Sequence, residues 1–203
     1  MPAERAVHVL QQCCHSLTDA HATGVIHRDI KPANVLICRY GSDYDFVKVL
    51  DFGLVKQVGD AGTVGSQLTA EGIATGTPAF MAPEMALDNR SVDARADIYA
   101  LGCVGYWLLT GRLVFEGESP MAVILKHAKD TPIPPSQRTK LAIPASLERI
   151  ILACLEKDRA RRPQSAKELS LALAACADGL SPWTQARALA WWRACVPDRA
   201  RAS

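Results

Sequence analysis

The chain lacks the devices that most quickly fix a protein's class. Its seven cysteines are odd in number and contain no CxxC pair, so the sequence encodes neither a disulfide framework nor zinc-ligand spacing. Cys13, Cys14 and His15 are adjacent, but neighbours on a helix point in different directions and cannot converge on one metal; they read as core and surface positions. Such thiols fit a reducing cytoplasm, the expected location. Excess charge is missing too. With 23 basic and 21 acidic residues the formal charge is +2, which gives no reason to expect nucleic acid or a membrane surface as partner. The densest basic group, Arg159, Arg161 and Arg162, reads as a solvated loop with one structural arginine. No charged-then-apolar signal segment opens the chain. The longest uncharged stretch, Ile98 to Gly111, falls short of the roughly 20 helical residues that span a bilayer. No internal repeat is evident, and 203 residues suffice for one domain and a tail.

What is present is mainly helical patterning. Ala6, Val7, Leu10, Cys14, Leu17 and Ala20 recur at three- and four-residue intervals and predict an amphipathic helix over Ala3 to His21, ended by Gly24. Short apolar runs at Val25-Ile26, Val35 to Ile37 and Phe46 to Leu50 predict small strands framing two loops, with a turn at Gly41 to Asp43. Leu54 to Ala74 is rich in Gly, Thr, Ser and Gln and has the character of a loop. Beyond Pro83 the pattern is helical. The segment Ala94 to Thr110 is apolar almost all round, as a helix at the centre of a domain would be. Further helices are expected at Pro120 to Ala128, Ala145 to Leu155, Ser165 to Ala177 and Thr184 to Ala194, the last carrying Trp191 and Trp192 just after Trp183.

Three motifs carry chemistry. His27 to Asn34 reads HRDIKPAN, Asp51 to Gly53 reads DFG, and Ala82 to Glu84 reads APE. In this order, with Asn34 five residues after Asp29, they form a phosphoryl-transfer signature set. From about Ala3 to Ala177 the chain resembles the C-terminal lobe of a Hanks-type (eukaryotic-like) bacterial serine/threonine protein kinase. The fold so implied is α+β, mainly α: a helical bundle whose small β-hairpins carry the catalytic and DFG loops, with the N-lobe absent. Residues 1–177 would be the kinase lobe, and 178–203 a tail whose Trp-rich part can dock as an extra helix.

The resemblance assigns roles residue by residue. Asp29 corresponds to the base that orients the substrate hydroxyl, Lys31 to the cation at the transferring phosphate, and Thr77 to the threonine bridging the two. Asn34 and Asp51 correspond to the two Mg2+ ligands, oxygen donors suited to a hard cation that also grips the phosphates of ATP. Leu36 corresponds to the apolar floor under the adenine, although any leucine in a strand here is expected to be buried. Arg28 would pair with a phosphorylated loop residue, for which Thr69 and Thr75 are best placed. Glu84 and Arg162 would form a buried ion pair, and Asp97 would hold the catalytic-loop backbone from a DIYALG helix in which Tyr99 stands where tryptophan is common. His27 and Phe52 would be two of four stacked residues coupling the lobes. The implied partners are protein substrates with Ser or Thr, with self-association serving autophosphorylation or contact with a missing N-lobe.

One absence limits that transfer. The 26 residues before His27 contain no glycine-rich phosphate loop and no lysine of the VAIK kind. Ala122 to Lys126 reads AVILK but follows DFG and continues as a helix; Gly59, Gly62 and Gly65 follow DFG directly and lack GxGxxG spacing. Without the covering half, water would reach the phosphates and weaken the electrostatics of transfer, so this chain alone is expected to be inactive or nearly so. Two other readings are a non-catalytic, pseudokinase-like interaction module and a lobe completed by a separate chain.

Overall fold

The computed structural model describes residues 1–52, 77–87, 92–177 and 179–196. Helix α1 spans Ala3–Ala22, and the 3-to-4-residue stripe does what its spacing requires: Ala6, Val7, Leu10, Cys14 and Leu17 are buried, while Ala20 is half-buried. Cys13 is buried beside Cys14, and His15 points outward. Gly24 follows the helix at φ +78, a left-handed conformation that glycine adopts without strain. The expected strand at Val25-Ile26 does not form. The Val25 N–H instead bonds the Ala20 carbonyl at 3.0 Å, closing the helix end rather than joining a sheet.

Strands β1 (Val35–Tyr40) and β2 (Asp43–Val49) pair antiparallel across a two-residue turn at Gly41-Ser42, so both run further toward the turn than the apolar runs alone indicate. Cys38 faces Phe46 and Tyr40 faces Asp43, which sets Tyr44 and Asp45 against Arg39 alone. That extra residue is a β-bulge, and Asp45 within it has φ +57.

The remainder is helical: α2 (Pro83–Leu87), α3 (Arg95–Thr110), α4 (Pro120–Lys129), α5 (Ala145–Cys154), α6 (Ala166–Ala177) and α7 (Gln185–Cys195). Local chemistry sets their starts. Ser119 accepts from the Ala122 N–H ahead of Pro120, and Thr184 accepts from the Arg187 N–H, each satisfying a donor that the first turn leaves free. Helix α3 is buried along nearly its whole length and forms the centre, with α1 and α5 against it. Two glycines permit that approach. A methyl group at Gly102 would lie 2.5 Å from Cys154 Cβ, and one at Gly105 would lie 2.6 Å from Ile151 Cδ1. Helix α1 also contacts α6 and β2, and α7 packs on β2. The result is a mainly helical α+β fold with one two-stranded sheet among the described residues. No helix among them is long and apolar enough to cross a membrane.

Candidate active site

The site is organised by a carboxylate in the first turn of the central helix. Asp97 is fully buried, and its oxygens accept from the backbone N–H groups of His27 and Arg28, each at 2.8 Å, and from His21 Nε2 at 2.8 Å. Charge-assisted bonds of this kind are stronger than neutral ones, which suits a loop whose Arg28 sits at φ +64. The His27 ring ties the two motif loops together. Its Nδ1 accepts from the Asp29 N–H at 3.3 Å, so Nε2 carries the proton and donates to the Leu50 carbonyl at 2.7 Å. Its edge meets Phe52 at 4.8 Å between centroids.

Downstream of that anchor, Asp29, Lys31 and Asn34 converge. The Lys31 ammonium lies 2.7 Å from Asp29 Oδ2. Asn34 is buried, and its Nδ2 donates to the Asp29 carbonyl at 2.8 Å and to Asp29 Oδ2 at 3.1 Å. Only an N–H can face those two oxygens, so the amide orientation is fixed and Oδ1 is left as a donor atom for a cation. The hairpin returns the chain to this loop one residue before Asp51: the Leu50 N–H bonds the Asn34 carbonyl at 2.9 Å, and Asp51 follows at φ +64, exposed. An amide oxygen and a carboxylate are hard donors. No group of three or more His, Cys, Asp or Glu gathers among the described residues. A cation here would complete its shell with phosphate oxygens and water, a habit of Mg2+, so the residues present fit that ion.

A small cleft beside this cluster is lined by Arg28, Asp29, Ile30, Thr77, Phe80, Met81 and Met85. The buried Arg28 Nε has no hydrogen-bond partner among the described residues. Below it the APE segment is anchored as the two charges suggest. Arg162 Nη1 and Nη2 donate to Glu84 Oε1 and Oε2 at 2.7 and 2.8 Å, and the remaining donors reach the carbonyls of Arg95, Glu156 and Lys157 at 3.1, 2.8 and 3.2 Å. The guanidinium also lies 4.8 Å from the Tyr99 ring centroid.

Two expectations need correction. Leu36 is 43% exposed rather than buried, because it sits on the outward face of a hairpin with no second sheet above it among the described residues. Thr77 makes no hydrogen bond to Asp29 or Lys31; those two pair directly, and Thr77 is exposed at the cleft edge. Thr69, Thr75 and Gly53 lie outside the described residues.

Two polar clusters were not anticipated from the sequence. Asp45, fully buried, accepts from Arg5 Nε and Nη2 at 2.8 and 2.7 Å, from Trp183 Nε1 at 2.9 Å and from Trp192 Nε1 at 2.7 Å. Burial alone would raise its pKa, but the Arg5 and two indole hydrogen bonds outweigh that and hold the carboxyl below its usual value. The signals available were an acid on the inward face of β2 and an arginine within the apolar stripe of α1. In the second cluster the Tyr99 hydroxyl lies 2.8 Å from His127 Nδ1 and 3.5 Å from Lys157 Nζ, with Lys157 also 4.6 Å from the Phe115 ring centroid. His127 Nε2 is buried with no hydrogen-bond partner among the described residues. Burial, then the Lys157 charge, pushes the His127 pKa down to about 4; burial pushes Lys157 down to about 8. The tyrosine in place of tryptophan at position 99 was the visible signal.

A loop pinned by a buried aspartate, a hairpin returning a second aspartate to that loop, and an APE helix clamped by arginine together define the helical lobe of a protein phosphotransferase. Comparison with known families bears this out: residues 1–172 match the protein kinase domain. The chain belongs to that family, among its bacterial Hanks-type serine/threonine members. It is 40% identical over 182 residues to serine/threonine-protein kinase PknB of Mycobacterium tuberculosis, covering 90% of this chain and 28% of that protein. It is 42% identical over 172 residues to serine/threonine-protein kinase pkn3 of Myxococcus xanthus, covering 84% and 31%. With serine/threonine-protein kinase Pkn1 of the same organism the identity is 46% over 157 residues, covering 77% and 22%. The chain thus spans less than a third of the length of these relatives.

Proposed function

We propose that this chain is the catalytic lobe of a cytoplasmic serine/threonine protein kinase that transfers a phosphoryl group from ATP, with Mg2+, to Ser or Thr hydroxyls of protein substrates. The observation that carries the reading is the meeting of Asp29, Lys31 and Asn34 in a loop held by Asp97, with the Leu50–Asn34 bond tying to that loop the residue just before Asp51. Asp29 receives the substrate hydroxyl's proton and aims its oxygen at the phosphorus. Lys31, now paired with Asp29, turns part of its charge to the transferring phosphoryl group. Asn34 Oδ1 and the Asp51 carboxylate hold Mg2+, which when bound neutralises charge on the phosphate oxygens. Leu36 meets the adenine with its exposed face, and Arg28 binds an anion delivered by the segment containing Thr69 and Thr75.

Calorimetric titration with ATP and Mg2+ tests this on the chain itself and on a version extended upstream by a glycine-rich loop and a strand lysine. Binding by the extended protein, lost on Asp51→Ala, and little or none by the shorter one is expected; each 1.4 kcal/mol of lost contact is about tenfold in affinity. Kinase activity of the chain alone, abolished by Asp29→Asn, would overturn the expected inactivity. An extended protein that binds no nucleotide would point instead to the interaction module.

A further inference from the structure

The best-built polar cluster outside the active site is the one at Asp45, and it joins three parts of the chain. Helix α1 contributes Arg5, as a bidentate pair, and Gln12, whose Nε2 donates to the Asp45 carbonyl at 2.8 Å and whose Oε1 accepts from the Val47 N–H at 3.0 Å. The C-terminal helix region contributes the two indole donors, and Gln185 adds a pair of bonds to the Tyr44 backbone at 2.7 and 3.2 Å. Around them Arg5 lies 4.8 Å from the Trp191 ring centroid, Tyr44 packs edge-on to Trp192 at 5.8 Å, and Arg187 bonds Glu4 at 3.1 Å. The family match ends at residue 172, so the indoles that complete the cluster come from outside the shared domain.

The position of Asp45 gives the cluster its consequence. It occupies the bulge near one end of β2, and the other end of that strand delivers Leu50 to the Asn34 carbonyl and then Asp51. A two-stranded hairpin is marginal by itself and takes its stability from what covers it. Here that cover is α1 on one part and α7 on the other. Fixing the bulge fixes the register and twist of the ribbon, and so the relative placement of the residues at its far end, Val49 lying about 13 Å from Asp45 at 3.3 Å per residue.

We propose that Trp183 and Trp192, acting through Asp45, are positioning residues for the hairpin that carries Asn34 and Asp51, so that docking of the C-terminal helix sets the geometry of the cation ligands. The proposal rests on the reading of Asn34 and Asp51 as those ligands, and its test separates the two.

The test is residue-resolved amide hydrogen exchange on the full chain, wild type against Trp183→Phe/Trp192→Phe. Two amides report different events: Tyr44 N–H, bonded to Gln185, reports release of the helix, and Leu50 N–H, bonded to Asn34, reports opening at the site. The expected result is acceleration of at least tenfold at both, with α3 amides unchanged. Release at Tyr44 with Leu50 unchanged would overturn the proposal. Should the double variant lose protection throughout, Trp192→Phe alone is the deciding protein: acceleration at Leu50 supports the proposal and its absence overturns it. Broadening of the Asn34 side-chain amide signals by Mn2+ reports the cation reading separately. Broadening in the wild type that weakens severalfold in the variant supports the positioning role, and undiminished broadening in the variant contradicts it. No broadening in the wild type counts against the cation reading alone, and Leu50 exchange still decides the positioning.

Discussion

Glu84→Gln tests the energetics of the fold at the point where the APE segment meets the last helices. The substitution keeps the side chain's shape but removes the charge opposite Arg162, whose own side chain is fully buried. A buried charge that loses its partner costs about 3 to 5 kcal/mol. The backbone carbonyls of Arg95, Glu156 and Lys157 still accept from the guanidinium, and the amide oxygen can still accept one of its bonds. The expected loss therefore lies at the lower end, about 3 kcal/mol. Arg162→Met should cost more, because it strands the Glu84 carboxylate and also unpairs those three carbonyls, each worth about 1 kcal/mol or more when buried without a partner. The assay is urea unfolding followed by far-ultraviolet circular dichroism. For a domain whose whole stability is about 5 to 15 kcal/mol, a loss of 3 is a large shift in midpoint, and in a chain of this size it lowers Tm by about 6 to 12 °C. The double variant should lose less than the sum of the two single losses, since neither charge is then left alone. A Glu84→Gln midpoint within about 0.5 kcal/mol of wild type would refute the claim that the pair anchors the fold.

Gly102→Ala should destabilise the protein by about 1 to 3 kcal/mol in the same assay, because the new methyl group meets Cys154 Cβ at 2.5 Å and α3 must move away from α5. An unchanged midpoint would mean that the two helices are less closely packed than this. The His127 pKa is lowered from 6.5 to about 4 in the folded state, so the unfolded chain takes up the proton first. The associated stability is fully present above pH 6.5 and falls by about 3 kcal/mol as pH drops through 4. His127→Gln should flatten the stability profile between pH 6.5 and 4 by that amount, and parallel profiles would show that the ring is not held neutral by burial. In the native protein a thiol reagent should modify Cys195 and, more slowly, Cys38, and leave Cys13, Cys14, Cys103, Cys154 and Cys176 unreacted until unfolding. Burial pushes Cys13 and Cys154 up to about 12 and Cys14 and Cys103 higher still; rapid modification of any buried thiol would contradict the packing around α3.

The helices were legible because their spacing is a local property. The stripe of α1, the all-round apolar character of α3 and the Pro, Ser and Thr starts of α4 and α7 each follow from residues within one element. The motif loops were legible for the same reason, since HRDIKPAN and DFG are contiguous runs. Val25-Ile26 misled because two apolar residues have no period, and the end of the preceding helix claimed the backbone N–H that a strand would have used. Leu36 misled because burial depends on what lies above the hairpin, which its own sequence does not state.

The Asp45 cluster shows what local reading misses and how it can be found. Within β2 the pattern Asp43–Val49 buries positions 45 and 47, so alternation alone puts an acid on the inner face; in α1 the stripe that buries Ala6 and Val7 also buries Arg5. Each charge taken singly looks like an error of patterning, because burying either alone is costly. Two such errors of opposite sign in one domain are better explained by each other, and the bidentate pair is that explanation. Two tryptophans in a segment that needs few large apolar groups extend the argument, since a buried indole N–H also requires an acceptor and an ionised carboxylate accepts several bonds. Had the buried charges been matched first, Arg5 with Asp45 and then the indoles with the remaining lone pairs, the docking of α7 on β2 would have followed from the sequence.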